Sequence, residues 1–481
     1  MAKFDYDLIV IGGGAGGLTA STFAGQSAAK TLLVEKEKKL GGDCLHYGCV
    51  PSKSLIKSAY VYNVIRNAEQ YGLPPAGITR VDFRKVSERI QNIIGVIQKH
   101  DDPDYLFNNF NVETQFGEAG FVDPHTIQLN GKKITSRYFV IATGSAPFIP
   151  PIDGLNDTPY ITNVNIFSLE KLPQRLIVMG GGPIGTEMAQ AFRRLGSQVT
   201  ILQSGDKFLP KEDPDIADFI KGFLEEEGIE ILLNTVAVKA EYENGEFLLT
   251  VENKRSAFKQ VIRGDQVLVS TGRRPNIKGL DLEKIGVAYT QRGIKVDDRM
   301  RTTVPHIYAV GDVAAGYQFT HVASYGAVVA IYNAILKIPK KADYTKTPWC
   351  TYLDPEIASI GYNEQRAKQA GIEYIKHVEY ITRNDRALAE GENKGLIKIL
   401  MDKKGHVIGV QLISYHAGDL IGEWIPIINN RLKLTSITEA IHPYPTMGEI
   451  NKNASVNYLV STIPPWTKKL TKFLFGYQGK V

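Results

Sequence analysis

Cysteine is scarce in this chain, with three in 481 residues, and tryptophan (three) and methionine (six) are nearly as rare. So few thiols exclude a disulfide-stapled secreted scaffold and a four-cysteine zinc site. No uncharged apolar run approaches the ~18 residues of a membrane-spanning helix. Neither sign of charge dominates: 56 basic against 51 acidic residues leave a net +5, too little for this length to argue for nucleic acid, though compatible with an anionic cofactor or a membrane surface. The N-terminal MAKFDYDLIVIGGG lacks the basic, apolar and small-residue order of a signal peptide, so a cytoplasmic protein is expected. What the chain does have is an ordinary globular composition, 43% apolar and 22% charged, and length enough for about three domains.

Two of the three thiols stand together in residues 40–54, LGGDCLHYGCVPSKS. Cys44 and Cys49 follow a Gly-Gly pair, close enough in sequence to exchange electrons as a disulfide, and a helix N-terminus or a cation beside them would lower a thiolate pKa. The plainer alternatives are a structural disulfide, which conflicts with the scarcity of cysteine, and half of a metal site, which needs further ligands. GGDCLHYGCVPSK resembles the active-site signature of the class I pyridine nucleotide-disulfide oxidoreductases, the family of dihydrolipoamide dehydrogenase, glutathione reductase and mercuric reductase. The resemblance implies that Cys44 is the interchange thiol that meets substrate, that Cys49 is the charge-transfer thiol against a flavin, and that Lys53 lies near the flavin ring.

Residues 7–11 are an apolar run that ends in Gly12-Gly-Gly-Ala-Gly-Gly17, and small helix-compatible residues follow. Strand, glycine turn and helix are predicted. Gly12, Gly14 and Gly17 fit G-x-G-x-x-G, in which missing side chains let a pyrophosphate approach the backbone and the helix N-terminus. Glu35 ends the next strand, where a ribose hydroxyl finds its acceptor. The pattern recurs after residues 175–179 with Gly180, Gly182 and Gly185, and two such units need two dinucleotides or two halves of one site. FAD with NADH or NADPH is the economical pair, since a flavin accepts a hydride and passes two electrons to a disulfide. At the second ribose position Gln203 stands where an acid is expected, leaving NADH or NADPH open, with Lys207 and Arg193 as candidate phosphate partners.

The family resemblance extends to several shorter segments. Gly117-Glu-Ala119 resembles a stretch whose backbone reaches the adenine, and Thr143-Gly144 a turn that closes the first nucleotide unit, which Gly272 parallels in the second. Gly311-Asp312 implies a carboxylate on the flavin's ribitol hydroxyls, a helix cap being the alternative. Glu187 resembles the glutamate that pairs with the active-site lysine, here Lys53; a first-turn acid favoured by the helix dipole is the alternative. His321 has no partner at ligand spacing and is expected in the core or at a cap.

The expected fold is α/β: two Rossmann-like dinucleotide-binding domains and a C-terminal α+β dimerisation domain of a homodimer. FAD is assigned to residues 1–150 and 281–345, NAD(P) to 151–280, the interface to 346–460 and a basic tail to 461–481. Residues 110–129 predict a small antiparallel patch, residues 349–361, 395–401 and 406–413 predict strands, and residues 416–430 and 435–441 predict helices.

One departure bears on the substrate. In disulfide reductases of the family a histidine in His-Pro-Thr-x-x-Glu reaches the partner subunit's thiols, whereas this chain reads Tyr444-Pro-Thr-Met-Gly-Glu449. Histidine titrates near pH 6.5 and tyrosine near 10, so Tyr444 is a poor base. The segment, with Glu449, is similar instead to mercuric reductase, where tyrosine lies beside a soft metal. His442 is the alternative base, although two residues of extended chain displace a side chain by ~7 Å. With three cysteines no second pair is available to deliver metal. The expected activity is therefore an NAD(P)H reductase whose Cys44–Cys49 dithiol reduces a small thiol-reactive acceptor, either a soft metal ion or a disulfide. A dihydrolipoamide dehydrogenase with an atypical base and a membrane-recruited redox sensor are the alternatives. No nucleic-acid partner and no resident metal are expected. In the tail, Trp466, Leu470, Phe473, Leu474 and Tyr477 share one helical face and Lys468, Lys469 and Lys472 lie elsewhere, a pattern that suits a membrane surface or docking on the protein's own dimer.

Overall fold

Leu8, Ile9 and Val10 are wholly buried in the strand Tyr6–Ile11, as a near-continuous apolar run should be when both faces of a parallel sheet are covered. The computed structural model describes residues 4–77, 79–314 and 316–479. Tyr6–Ile11 pairs in parallel with Thr31–Glu35 on one side and Lys132–Ile141 on the other. Ile307–Ala309 returns from far along the chain to add a parallel strand against Lys132–Ile141, which joins residues after 280 to the first sheet. The helix Ala15–Gln26 packs on Thr320–Ala334, and Gly16, whose missing side chain lies against Ala323, permits that approach.

The second unit repeats the arrangement in four parallel strands, ordered Ile229–Leu232, Gln198–Leu202, Arg175–Met179 and Gln266–Val269. Beside them lies an antiparallel meander, Thr235–Glu243, Glu246–Asn253 and Lys259–Gly264, whose alternation the sequence pattern did not single out. A short ribbon, Ser145–Pro147 against Arg273–Pro275, links the closing turns of the two units. The expected antiparallel patch at 110–129 is only partly so. Val112–Phe116 extends the parallel sheet beside Thr31–Glu35, and Ala119–Asp123 and Thr126–Leu129 form the antiparallel edge.

Met1–Pro210 and Asp218–Asp343 form one compact unit; Lys211–Ala217 and Tyr344–Val481 form another. The latter holds a five-stranded antiparallel sheet in the order Pro348–Thr351, Glu356–Gly361, Val407–Ser414, Leu396–Met401 and Ile375–Tyr380. The single strand expected over 349–361 is two strands. The helix expected over 416–430 is broken into Ala417–Leu420, Ile421–Glu423 and Trp424–Asn429, because Gly418, Gly422 and Pro426 are poor helix-interior residues.

Residues 211–217, assigned from sequence to the NAD(P) region, are bonded into this C-terminal unit. The buried Glu212 carboxylate accepts from Trp349 Nε1 at 2.7 Å, Gln411 Nε2 at 2.8 Å and Ser359 Oγ at 3.0 Å. Next to it the fully buried Lys398 donates to Asp215 at 2.5 Å, Asp213 at 2.9 Å and Glu364 at 3.1 Å. The three carboxylates cluster tightly, but the ammonium already occupies the place a cation would take.

Candidate active site

The two glycine turns are built alike. Gly12 takes φ +108° with its backbone against the Ala142 carbonyl, and a Cβ on Gly17 would fall 1.7 Å from the Gly12 carbonyl oxygen. Gly180 (φ +116°) and Gly185 repeat this against Ser270 and Gly180. Only residues without side chains let helix, turn and strand close up this far. Gly14 and Gly182 are the helix N-caps, and neither end is capped by a side chain, which leaves N–H groups for an anion. A Cβ on Gly182 would meet nothing within 4 Å, so the space before it is open. Both cradles fit a dinucleotide pyrophosphate.

The acceptors at the two second strands also correspond. Glu35 Oε2 accepts the Gly13 N–H at 2.6 Å, and Gln203 Oε1 accepts the Gly181 N–H at 3.0 Å. Gln203 is thus the positional equivalent of Glu35, with an amide for a carboxylate, and its Nε2 donates to the Lys207 carbonyl at 3.1 Å. Arg193, a candidate for a phosphate from sequence, is engaged elsewhere: its Nε donates to the Glu227 carbonyl at 2.6 Å. Gly117 N–H bonds the Glu35 carbonyl at 2.8 Å, which brings the strand beginning at Ala119 to the same edge.

The helix Cys49–Arg66 begins at one thiol, and Gly42–His46 carries the other. Both cysteines are free thiols. The Cys49 thiol is pulled down to about 6, first by the hydrogen bond it shares with Cys44, then by Thr320 and by the charge of Lys53, against burial and Glu187. Cys44 is pushed well above the usual thiol range by the same bond and by burial. Both directions favour the thiolate at Cys49, beside Lys53 and Thr320, and the proton at Cys44. Thr320 Oγ1 lies 3.3 Å from Cys49 Sγ. Lys53 Nζ donates to the buried Glu187 Oε2 at 2.9 Å, so the structure brings together two residues that sequence places in separate nucleotide units.

A network around Asp312 was not legible from local motifs. Asp312 accepts from Ser145 Oγ at 2.6 Å, and Arg273 donates to the same hydroxyl at 2.7 Å while reaching Asp43, next to Cys44, at 3.1 Å. Burial raises the Asp312 carboxyl above its ordinary range, opposed by Ser145 and Arg273. Asn163 Nδ2 donates to Asp43 at 3.1 Å and to the Tyr47 carbonyl at 2.9 Å, fixing the loop between the thiols. Thr143 Oγ1 bonds the Asn276 carbonyl at 2.6 Å, and Gly144 and Gly272 both take positive φ in the turns beside the ribbon. His321, expected in the core or at a cap, is exposed and stacks on Phe319 with ring centroids 5.3 Å apart, because its side of Thr320–Ala334 faces outward.

In the C-terminal unit Tyr444 is 69% exposed and its hydroxyl donates to Asp385 at 2.9 Å. That bond raises the phenol above its usual value. Glu449 opens the helix Glu449–Thr462. His442 does not accompany Tyr444 but meets Glu423 Oε1 through Nε2 at 2.8 Å.

Residues 6–327 match the family described as pyridine nucleotide-disulphide oxidoreductase, and residues 347–455 match its dimerisation domain. The chain belongs to this family. It is accordingly an enzyme of the NAD(P)H-dependent flavoprotein disulfide reductase group, with FAD and NAD(P)H as cofactors, and its dimerisation domain supports a homodimer. It is 33% identical to mercuric reductase of Staphylococcus aureus over 456 residues, which covers 94% of this chain and 82% of that protein. It is 37% identical to dihydrolipoyl dehydrogenase of Geobacillus stearothermophilus over 456 residues, 93% of this chain and 95% of that protein. Among solved structures, the HOCl-induced flavoprotein disulfide reductase RclA from Escherichia coli superimposes with a TM-score of 0.83 at 25% identity, covering 95% of this chain and all of that one. The Cu(II) complex of RclA gives the same score. Relatives named for two different substrates at comparable identity define the family and leave the substrate to be argued from the site. Among the described residues no helix is long and apolar enough to cross a membrane.

Proposed function

We propose that the chain is a homodimeric reductase whose Cys44–Cys49 dithiol delivers electrons from NAD(P)H to a soft metal ion such as Hg(II) or Cu(II). Tyr444 carries the argument. Its hydroxyl is a donor to Asp385 and holds its proton more tightly than a free phenol, so it offers no base where the family's disulfide reductases have histidine. Forming a disulfide from Cys44 thiol and Cys49 thiolate releases two electrons and one proton. One Hg(II) ion takes both electrons, or two Cu(II) ions take one each, and neither needs a proton, whereas cleaving an acceptor disulfide leaves two thiolates to be protonated. Soft thiolates also select such metals. Tyr444 and Glu449 of a second copy would complete the site.

A bound flavin supplies hydride acceptance and two-electron relay. The chain's part is to hold Cys49 anionic through Thr320 and Lys53, to keep the remaining proton on Cys44, and to seat the two dinucleotides on the turns at Gly12 and Gly180. The name mercuric reductase on one relative and the Cu(II) complex of RclA support this choice. The second reading, dihydrolipoamide oxidation, is favoured by the His442–Glu423 pair and by the dihydrolipoyl dehydrogenase relative.

The test is anaerobic reduction by NADH or NADPH followed by mixing with Hg(II), Cu(II), lipoamide or glutathione disulfide. Metal-dependent reoxidation that outpaces both disulfides is expected, and Cys44→Ser should abolish it while leaving flavin reduction intact. Faster turnover of lipoamide, lost in His442→Gln, would establish the second reading. Rapid flavin reduction with no turnover of any acceptor would remove both and leave a redox sensor.

A further inference from the structure

The helix Pro465–Phe475 lies beyond residue 455, where the match to the dimerisation domain ends, and it has no buried residue. Its exposed apolar side chains are large: Trp466 is 61% and Phe473 84% accessible, Leu470 and Leu474 are open as well, and so is Tyr477 just past the helix end. At 100° per residue Trp466, Leu470, Phe473 and Leu474 fall within one arc, and Lys468 and Lys472 point away from it with Lys469 at its margin. Of the tail called from sequence, residues 480 and 481 lie outside the described residues.

Charge decides what covers that face. Residues 461–481 contain four lysines, Lys468, Lys469, Lys472 and Lys480, and no aspartate or glutamate. The net charge of the entire chain is +5, so most of the positive excess sits on this tail. A second copy carries no net negative charge to match it. An anionic lipid surface does, and a short helix with an apolar arc and a lysine flank suits its interface, with aromatic side chains at the headgroup boundary.

We infer that Pro465–Phe475 is a peripheral docking element for anionic membranes that holds the reductase at a lipid surface. The full-length holoenzyme should co-sediment with phosphatidylcholine vesicles containing phosphatidylglycerol and not with phosphatidylcholine alone, and binding should weaken as salt is raised. Lys468→Glu/Lys469→Glu/Lys472→Glu, with the apolar face intact, should lower partitioning by about tenfold or more. Phe473→Ser, with the charges intact, should lower it too, and neither variant should alter NAD(P)H-dependent flavin reduction, which shows that each is folded. Equal binding to neutral and anionic vesicles would overturn the inference. So would absence of vesicle binding together with a dimer that dissociates in sedimentation equilibrium when either variant is made, since the face would then belong to the second copy.

Discussion

Lys53 stands between a thiolate and a buried carboxylate, and its charge is felt by both. Its ammonium lowers the Cys49 thiol, whereas Glu187 raises it. Replacing Lys53 by Met removes the cation and leaves Glu187, so the Cys49 midpoint should rise from about 6 toward the ordinary ~8.5. Glu187→Gln should move it the other way. Thiolate absorbance of the reduced protein against pH reads both shifts, and coincident curves for the two variants would refute the assignment. A second single residue is proposed to set the choice of nicotinamide nucleotide. Gln203 accepts the Gly181 N–H just as Glu35 accepts that of Gly13, so Gln203→Glu keeps the turn while adding a charge that accepts a ribose hydroxyl and repels a 2′-phosphate. The ratio of kcat/KM for NADH over NADPH should rise about tenfold, equivalent to ~1.4 kcal/mol; an unchanged ratio would place the ribose elsewhere.

The segment Lys211–Ala217 shows what one short stretch of chain does when it is bonded into a unit distant in sequence. Lys398 is 1% exposed and touches three carboxylates; burial alone would lower its pKa, but Asp215 and Asp213 outweigh that and hold it above the usual value. Lys398→Met leaves those carboxylates uncompensated and should destabilise the C-terminal unit by about 3–5 kcal/mol, read by denaturant unfolding. Its pH response has a definite sign. Glu364 is held down to about 2, burial opposing and Tyr374, Lys398 and Lys376 prevailing. The folded state thus binds fewer protons than the unfolded chain between that value and the ordinary ~4.3 of glutamate. The stabilisation is complete above the upper limit and is lost as pH falls through the lower, so the Lys398→Met variant should unfold with a flatter acid profile. The glycine turns and buried strands were legible because a missing Cβ or an apolar run acts over a few residues. Lys53 with Glu187 was legible only through resemblance, being 134 positions apart. Arg273, Ser145, Asn163 and the Glu212 anchor were not, because nothing beside them in sequence records the partner that the fold supplies. Tyr444 was visible as a departure, but its bond to Asp385 needed the chain's return past residue 385.

At the scale of the whole molecule the two units carry different reporters and different ligands. All three tryptophans, Trp349, Trp424 and Trp466, belong to the unit Lys211–Ala217 with Tyr344–Val481, and Trp424 is fully buried. The first glycine cradle, Glu35 and Asp312 belong to the other unit. FAD binds only folded protein, so each tenfold excess of free FAD over its Kd adds about 1.4 kcal/mol to the unit that holds it. Dimer formation acts on the tryptophan-bearing unit through protein concentration in the same way. In guanidinium unfolding of the full-length holoenzyme, added FAD should move the midpoint of flavin release and leave the tryptophan midpoint in place. Raising the protein concentration at constant free FAD should move the tryptophan midpoint. A single midpoint that follows both variables equally would mean that the units unfold as one, and the division of labour between nucleotide binding and association would fail at the level of stability.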